Sequence, residues 1–244
     1  MSGGTPHLSV VLACYNEAQH LRASFAEIRD TLERAGWPFE VVFVDDVSRD
    51  GTPEILDEIV AAHPQLALRV IRHERNRGRG ATVADGFRAA RGEIAGYLDV
   101  DLEVHCRYVP SLVRAIERGV DVATVRRIYA FQLRSLDRYA MSRGYSFLVR
   151  HLLGVPYRDT ETGFKFFRRA RVLPFLDEIG DEGWFWDTEF MVRAQLRGLR
   201  IAEIQGAYVR RTDKTSTVSG LRDSLDYFSK LWRFRRELRR ERRA

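Results

Sequence analysis

The sequence has few cysteines, no long apolar run and no leader-like start. Its 244 residues include two cysteines, Cys14 and Cys106, which are too few and too far apart for a disulfide framework or a cysteine-based zinc site. The first residues lack a basic segment followed by an apolar one, so we expect no secretory signal. No stretch approaches the roughly 18 apolar residues that cross a bilayer. We therefore expect a cytoplasmic protein, or one peripheral on the cytoplasmic face of a membrane.

The composition is that of an ordinary globular protein with an excess of positive charge. Apolar residues make up 45% and charged residues 30% of the chain, which is enough to build a core. The net charge of +6 favours an anionic partner such as a nucleotide or a phospholipid surface. Eight basic residues lie between Lys230 and Arg243. Because no nucleic-acid-binding motif accompanies them, we expect no nucleic-acid partner.

Strand-like and helix-like segments alternate along the first hundred residues. Apolar, β-rich runs predict strands over 8–15, 41–46, 68–72 and 94–99. Helical spacing predicts helices over 17–35, 53–63 and 81–91. Gly36 is expected to close the first helix, and Thr52 to cap the second ahead of Pro53. This alternation predicts an α/β fold, with a Rossmann-like, mostly parallel sheet and flanking helices.

The second half of the chain is less regular. Its pattern predicts an amphipathic helix pair over 131–153, a helix over 184–197 and a strand over 201–209. We predict a main domain over 1–220, followed by a basic amphipathic helix or tail over 221–244, with Phe228, Leu231 and Trp232 on one side. Aromatic residues interleaved with arginines are typical of a helix that lies on an anionic membrane surface. A solvated tail explains the same composition, and both interpretations stay open.

Acidic residues follow two of the predicted strands. Asp45 and Asp46 end the second strand, and Asp99 ends the fourth, with Asp101 and Glu103 just beyond it. Ligands of open α/β sheets bind at the carboxyl ends of the strands. Two carboxylates one residue apart suit a hard divalent cation that also binds phosphate oxygens. Taken alone, however, such a triplet more often belongs to a solvated loop.

A basic, glycine-rich loop opens the predicted helix at 81–91. Its segment Arg77-Gly78-Arg79-Gly80 offers backbone N–H groups, a helix N-terminus and guanidinium groups to phosphates. The Gly-Lys-Ser/Thr ending of a Walker loop is missing. As an isolated motif the loop is weak.

Taken together, these motifs resemble family 2 glycosyltransferases in their order and spacing. The first four are Tyr15-Asn16-Glu17, Asp45-Asp46, the loop at 76–80 and Asp99-Val100-Asp101. Residues 159–165 and 186–189 resemble the polyprenyl-phosphate branch, which includes dolichyl-phosphate glucosyltransferases and mannosyltransferases. The similarity covers about residues 8–215. The sequence departs from the family at Val47, where glycine is usual, and at Glu161, where glutamine is frequent.

The resemblance implies a GT-A type fold and an inverting, metal-dependent transfer of a hexose, glucose or mannose. The donor would be a nucleotide sugar of the UDP-glucose or GDP-mannose type, the acceptor a polyprenyl phosphate, and the cofactor Mg²⁺ or Mn²⁺. The metal ligands implied are Asp99, Asp101 and Glu103. The implied residues for binding the nucleotide sugar are Tyr15, Glu17, Asp45, Asp46, Arg79, Asp99, Lys165 and Arg211.

The implied catalytic residues are Asp101, Asp187 and Asp159. An ionised lipid phosphate needs no general base, whereas a hydroxyl acceptor needs a carboxylate such as Asp187 or Asp159 to take its proton. Asp187 also suits a helix cap. Two other hypotheses remain open: a soluble specialised-metabolite acceptor on the same fold, and a non-catalytic nucleotide-binding protein.

Overall fold

A seven-stranded sheet forms the centre of the computed structural model, which describes residues 5–129, 136–210 and 220–241. The strand order is β3-β2-β1-β4-β6-β5-β7. The strands are β1 (Leu8–Cys14), β2 (Phe39–Asp45), β3 (Ala67–Arg72), β4 (Ile94–Leu98), β5 (Val122–Tyr129), β6 (Phe164–Arg168) and β7 (Ile201–Tyr208). Strand β6 is antiparallel to both of its neighbours, and the other pairs are parallel. The predicted mostly parallel sheet is confirmed.

Eight α-helices connect and flank these strands within the described ranges. They are α1 (Leu21–Ala35), α2 (Thr52–Ala62), α3 (Arg79–Ala89), α4 (Val109–Glu117), α5 (Leu136–Leu153), α6 (Arg169–Leu176), α7 (Trp186–Leu196) and α8 (Gly220–Glu241). Gly36 ends α1 in the left-handed conformation, as predicted, and its N–H donates to the carbonyl of Glu33.

Two predictions about helix boundaries are wrong. A helix pair was predicted over 131–153, but the described part of that segment, 136–153, is the single helix α5, and residues 131–135 lie outside the described residues. Thr52 does not cap α2 but begins it, and Gly51 takes the cap position. The hydroxyl of Thr52 instead accepts a hydrogen bond from the backbone N–H of Glu17, at 2.8 Å. A threonine that suited a cap is thus used to join two loops.

Each face of the sheet is covered by helices that bury an apolar stripe. Helices α1, α2 and α4 cover one face, where the rings of Phe25 and Phe43 lie 5.6 Å apart. Helices α3, α6 and α7 cover the other, where Phe87 stands edge-on to Phe167 at 4.6 Å. Burying each of these large side chains stabilises the fold by about 1.5–3 kcal/mol.

Helix α8 packs on α5 and α7 through a third apolar cluster. Leu231, Phe234 and Leu238 are buried there against Tyr145 and Phe185. Phe228, Leu231 and Trp232 lie three and four positions apart, on one side of α8 as predicted, but only Leu231 is buried, while Phe228 and Trp232 are exposed. No helix in the described ranges is long and apolar enough to cross a membrane. The predicted division at residue 220 remains a prediction.

Candidate active site

One edge of the sheet gathers most of the residues that the sequence singles out. Strands β1, β2 and β4 end at this edge, and the antiparallel β6 begins there, because Leu98 pairs with Phe164. Strands β5 and β7 run parallel to each other and antiparallel to β6, so they end at the same edge. The carboxylates after β2 and β4 and the segment before β6 therefore surround one place.

Asp46 holds the glycine-rich loop. Its two carboxylate oxygens accept hydrogen bonds from the backbone N–H groups of Arg77, at 2.8 Å, and Gly78, at 2.9 Å. The ring of His73 lies between two carboxylates, with Nδ1 2.7 Å from Asp46 and Nε2 3.1 Å from Asp85 of α3. Asp46 is buried, so its side chain fixes the start of α3.

The loops after β1 and β2 are tied to each other. The carboxylate of Asp50 accepts hydrogen bonds from the N–H groups of Ala18 and Thr52, at 3.1 and 3.0 Å. The buried Asp45 accepts a weaker bond from the N–H of Ser48, at 3.3 Å. Tyr15, which directly follows β1, has 42% of its surface exposed, and its role in binding a nucleotide sugar stays a prediction.

Val47 has a backbone conformation that suits glycine. Its φ is 63°, in the left-handed region, where a β-branched residue is a genuine outlier. The left-handed conformation costs an L-residue about 1–2 kcal/mol. The glycine that is usual at this position in family 2 would not carry that cost, so the departure noted in the sequence has a physical consequence.

Arg79, at the start of α3, bridges two carboxylates. Its Nη2 donates to Asp99 at 2.7 Å, and its Nη1 donates to Asp187 at 2.5 Å. Trp184 lies over the guanidinium at 4.9 Å from the ring centroid. The side chain of Arg79 is 11% exposed and that of Asp99 is 44% exposed. The site therefore contains one cation in a fixed position, the mostly covered guanidinium of Arg79, beside the more exposed carboxylate of Asp99.

Asp187 and Lys165 form a fully buried pair beneath Arg79. Lys165 Nζ donates to Asp187 Oδ1 at 2.5 Å, and the hydroxyl of Tyr97 donates to the same oxygen. Burial raises the pKa of Asp187 to about 7, although Arg79 acts to lower it. Burial also holds the pKa of Lys165 well below its usual value. Asp187 is 1% exposed, so it lies inside the protein and not on the wall of an open site.

Asp159, the other predicted base, is also bound to a cation, Arg127. Arg127 of β5 grips its carboxylate with Nε at 2.7 Å and Nη2 at 2.9 Å, and the Arg127 backbone N–H adds a third bond at 3.0 Å. Burial acts to raise the pKa of Asp159, but Arg127 outweighs it and the pKa is lowered. Nearby, burial raises the pKa of Glu161 to about 7.

The predicted metal ligands lie along one loop but do not form a closed set of three. Asp101 Oδ1 accepts the backbone N–H of Glu103 at 3.2 Å, and Glu103 Oε2 accepts the hydroxyl of Tyr208 at 2.5 Å. Asp99 Oδ2 faces Gly163 so closely that a Cβ there would lie 2.0 Å away, so any side chain at 163 would displace this carboxylate.

A different group of side chains brings three possible ligand atoms within 4.8 Å of one another in the described part of the chain. It consists of Glu27, His105 and Cys106. The N–H of Arg107 donates to Nδ1 of His105, which leaves the ring hydrogen on Nε2, the atom that faces Glu27 at 2.9 Å. This group is therefore a helix cap whose imidazole also donates a hydrogen bond from Nε2 to Glu27.

The site as a whole contains residues that the sequence did not single out. Tyr97 contacts Asp187 from inside β4, Arg127 binds Asp159 from β5, and Tyr208 binds Glu103 from β7. For Tyr97 and Tyr208, the signal in the sequence was the presence of acidic and aromatic residues at the ends of the predicted strands. Arg211 lies outside the described residues.

The chain is similar to characterised proteins over most of its length. The model of the glycosyl transferase family 2 matches residues 9–172. Glycosyltransferase AglD of Haloferax volcanii is 36% identical over 231 residues, which are 93% of this chain and 36% of the relative. The dolichyl-phosphate beta-glucosyltransferase of Saccharomyces cerevisiae is 30% identical over 81% of this chain and 65% of its own length. This chain thus spans between a third and two thirds of these relatives.

The fold is that of a solved enzyme with a nucleotide sugar bound. Glucosyl-3-phosphoglycerate synthase of Mycobacterium tuberculosis, in complex with Mn²⁺, UDP-glucose and phosphoglyceric acid, superimposes with a TM-score of 0.67 at 19% identity. The match covers 93% of this chain and 78% of that one. The predicted GT-A type architecture is confirmed.

Proposed function

This chain belongs to glycosyl transferase family 2, and we propose that it transfers a hexose, glucose or mannose, from a nucleoside diphosphate sugar to a polyprenyl phosphate. The choice of acceptor rests on one observation, which is that the two predicted bases, Asp187 and Asp159, already have cationic partners. Both carboxylates are buried and bound to cations. The proposal also draws on the name of the yeast relative, a dolichyl-phosphate beta-glucosyltransferase.

The donor would lie across the carboxyl ends of β1, β2 and β4. Tyr15, Glu17 and Asp45 would meet the base and ribose, and Asp99 the ribose and diphosphate. Arg79 would hold phosphate oxygens, because its guanidinium is fixed in place and carries a permanent positive charge. Asp46 would act through the loop that it holds, since both of its oxygens already accept N–H groups of that loop. Lys165 would support Asp187 from below.

The residues after β4 fit a divalent cation. Mg²⁺ is commonly bound by one or two carboxylates together with substrate phosphates, so Asp99 and Asp101 are sufficient protein ligands. Glu103 would join them once it moves away from Tyr208. Bound Mg²⁺ or Mn²⁺ would neutralise the charge that develops on the departing nucleoside diphosphate. The assignment agrees with the Mn²⁺ ion bound in the mycobacterial enzyme.

A phosphate acceptor suits the state of the two predicted bases. A general base must come within about 3.2 Å of the proton that it takes, directly or through one water. Asp187 already accepts from Arg79, Lys165 and Tyr97, and Asp159 is gripped by Arg127. A monoester phosphate is largely ionised near neutral pH, since its second pKa is about 6, and it attacks without a base.

Helix α8 offers a surface for the membrane that would hold such an acceptor. Phe228 and Trp232 are exposed, and the guanidinium of Arg235 lies 5.3 Å from the centre of the Trp232 ring. Aromatic side chains beside arginines bind the interface of an anionic bilayer. We propose that α8 lies against the lipid of a membrane, and that the membrane face is the cytoplasmic one.

The test is an assay of nucleoside diphosphate release by the full chain. UDP-glucose or GDP-mannose is supplied with Mn²⁺ or Mg²⁺, with and without polyprenyl phosphate in vesicles. Release that depends on the lipid, together with a labelled sugar in the lipid fraction, is the expected result. Release without lipid would favour the soluble-acceptor hypothesis, and absence of release with every donor would favour a non-catalytic protein. Either outcome would overturn the proposal.

A further inference from the structure

A short loop links the C-terminal helix to the phosphate-binding end of the site. This loop, residues 180–184, lies between α6 and α7. Both oxygens of the buried Glu189 accept its backbone N–H groups, from Gly180 and Asp181, each at 3.0 Å. Asp181 also accepts the N–H of Gly183 at 2.8 Å. The path of the loop is therefore set by two carboxylates.

The other side of the loop lies directly on the start of α3. The carbonyl of Glu182 accepts the N–H of Ala81 at 3.1 Å. A Cβ on Gly78 would lie 2.7 Å from the same carbonyl, and a Cβ on Gly80 would lie 2.8 Å from the carbonyl of Gly183. Only glycine permits so close an approach at either position. The loop and the glycine-rich segment therefore hold each other in place.

This contact positions Arg79. Trp184, the last residue of the loop, lies over the guanidinium at 4.9 Å while 45% of its own surface stays exposed. The electron-rich face of an aromatic ring attracts a guanidinium group. The loop thus supplies one of the two aromatic rings beside the Arg79 guanidinium, and the other is Tyr97, whose ring centre lies 5.4 Å away.

Helix α8 holds the two carboxylates that set the loop. Lys230 Nζ lies 3.0 Å from Asp181 Oδ2. The buried Arg193 of α7 donates to Glu189 at 2.8 Å and to Glu237 of α8 at 2.6 Å. A cation from α8 therefore reaches Asp181 directly, and an anion from α8 reaches Glu189 through Arg193.

We propose that Lys230 is a positioning residue for Arg79, acting through Asp181 and the 180–184 loop, so that the docked α8 keeps the donor-phosphate site in order. The inference rests on the proposed function, in which Arg79 binds phosphate. According to this proposal, the affinity for the nucleotide sugar depends on a residue of the C-terminal helix that does not contact the substrate.

The variant that tests this is Lys230→Gln, with Lys230→Arg as the conservative rescue. Arg236→Gln is the matched control, because Arg236 is an exposed residue of the same helix and the change removes the same charge. The first measurement is hydrogen exchange of the full chain over residues 178–186 and 79–86. We expect these amides to exchange about five- to tenfold faster in Lys230→Gln alone.

The second measurement is steady-state kinetics with the nucleotide sugar. We expect the donor KM of Lys230→Gln to rise about three- to tenfold while kcat changes less, because a loosened Arg79 weakens binding before it affects the transfer step. Lys230→Arg should restore both measurements. Unchanged exchange, faster exchange with an unchanged KM, or equal effects from Arg236→Gln would each overturn the proposal. Hydrogen exchange needs no substrate, so it tests the coupling between Lys230 and the start of α3 even if the protein turns over no donor.

Discussion

The substitution Asp187→Asn separates a catalytic base from a structural support. In the wild-type chain the Asp187 carboxylate lies between Arg79 and the buried Lys165. Removing its charge leaves Lys165 without its ion-pair partner at a place with no solvent exposure. Breaking a buried ion pair in this way costs about 3–5 kcal/mol. For a chain of this size, the lower figure corresponds to a fall in Tm of about 6–12 °C.

The pH dependence of that loss follows from Lys165. Burial already holds its pKa well below the usual value, so a lysine without its partner must lose its proton when the protein folds. Losing the proton is hardest at low pH. The stability deficit of Asp187→Asn should therefore shrink as the pH rises from 7.5 to 9, a range above the Asp187 pKa of about 7, where the wild-type carboxylate is charged.

The assay is thermal unfolding at several pH values beside the transfer assay. The matched control is Asp177→Asn, which breaks an ion pair with Arg88 at a position where the aspartate is 80% exposed. Such surface pairs contribute about 0–1 kcal/mol, so this variant should melt close to the wild type. If Asp187→Asn loses turnover but keeps the wild-type Tm, Asp187 acts as a base and our interpretation of the pair is wrong.

Three further predictions concern the sheet edge. Val47→Gly should raise Tm by about 1–3 °C, because it removes the strain of a left-handed backbone at a valine. Little packing is lost, since Val47 belongs to none of the three apolar clusters. A lower Tm in calorimetry would contradict this prediction. Glu161→Gln should stabilise the protein by about 1–2 kcal/mol at pH 8 and hardly at all at pH 4.5 in denaturant titrations. The wild type loses stability as the pH rises through the raised pKa of Glu161, about 7, so a gain independent of pH would refute the assignment. Asp101→Ala should abolish metal-dependent release with an unchanged circular dichroism spectrum; full activity would remove Asp101 from the metal site.

The first half of the fold was predictable because its strands are buried on both faces. Strands β1, β2 and β4 are mostly apolar runs, and β2 and β4 end in or just before acidic residues, a pattern that marks both the strand and the edge where ligands bind. Their predicted bounds differ from the observed ones by at most two residues. Asp45, Asp46 and Asp99 were placed correctly on that basis.

The second half was harder to read because charged residues are buried in it. Strand β6 contains Lys165, which is fully buried because Asp187, 22 positions later, supplies the opposite charge. Strand β5 contains Arg127, whose partner Asp159 lies 32 positions later. A local pattern reads such residues as exposed. Their positions depend on pairs that form only when the sheet is complete.

The roles of individual residues were less predictable than their positions. Thr52 and Asp187 both suit helix caps, yet the hydroxyl of Thr52 accepts from Glu17 and the carboxylate of Asp187 binds Arg79. Short polar side chains near a helix start have several possible partners of similar strength. The choice among them is made by whatever loop or strand the fold brings nearest.

The reversed direction of β6 changes where along the chain a reader should look for site residues. In a wholly parallel sheet, every contribution to the ligand edge follows a strand, as Asp99 follows β4. Here Asp159, Glu161 and Gly163 come before a strand, and they reach the same edge because that strand runs back from it. One reversal thus lets a segment upstream of a strand line the site. Scans of related chains should therefore search the segment before β6 as well as the segments that follow the other strands.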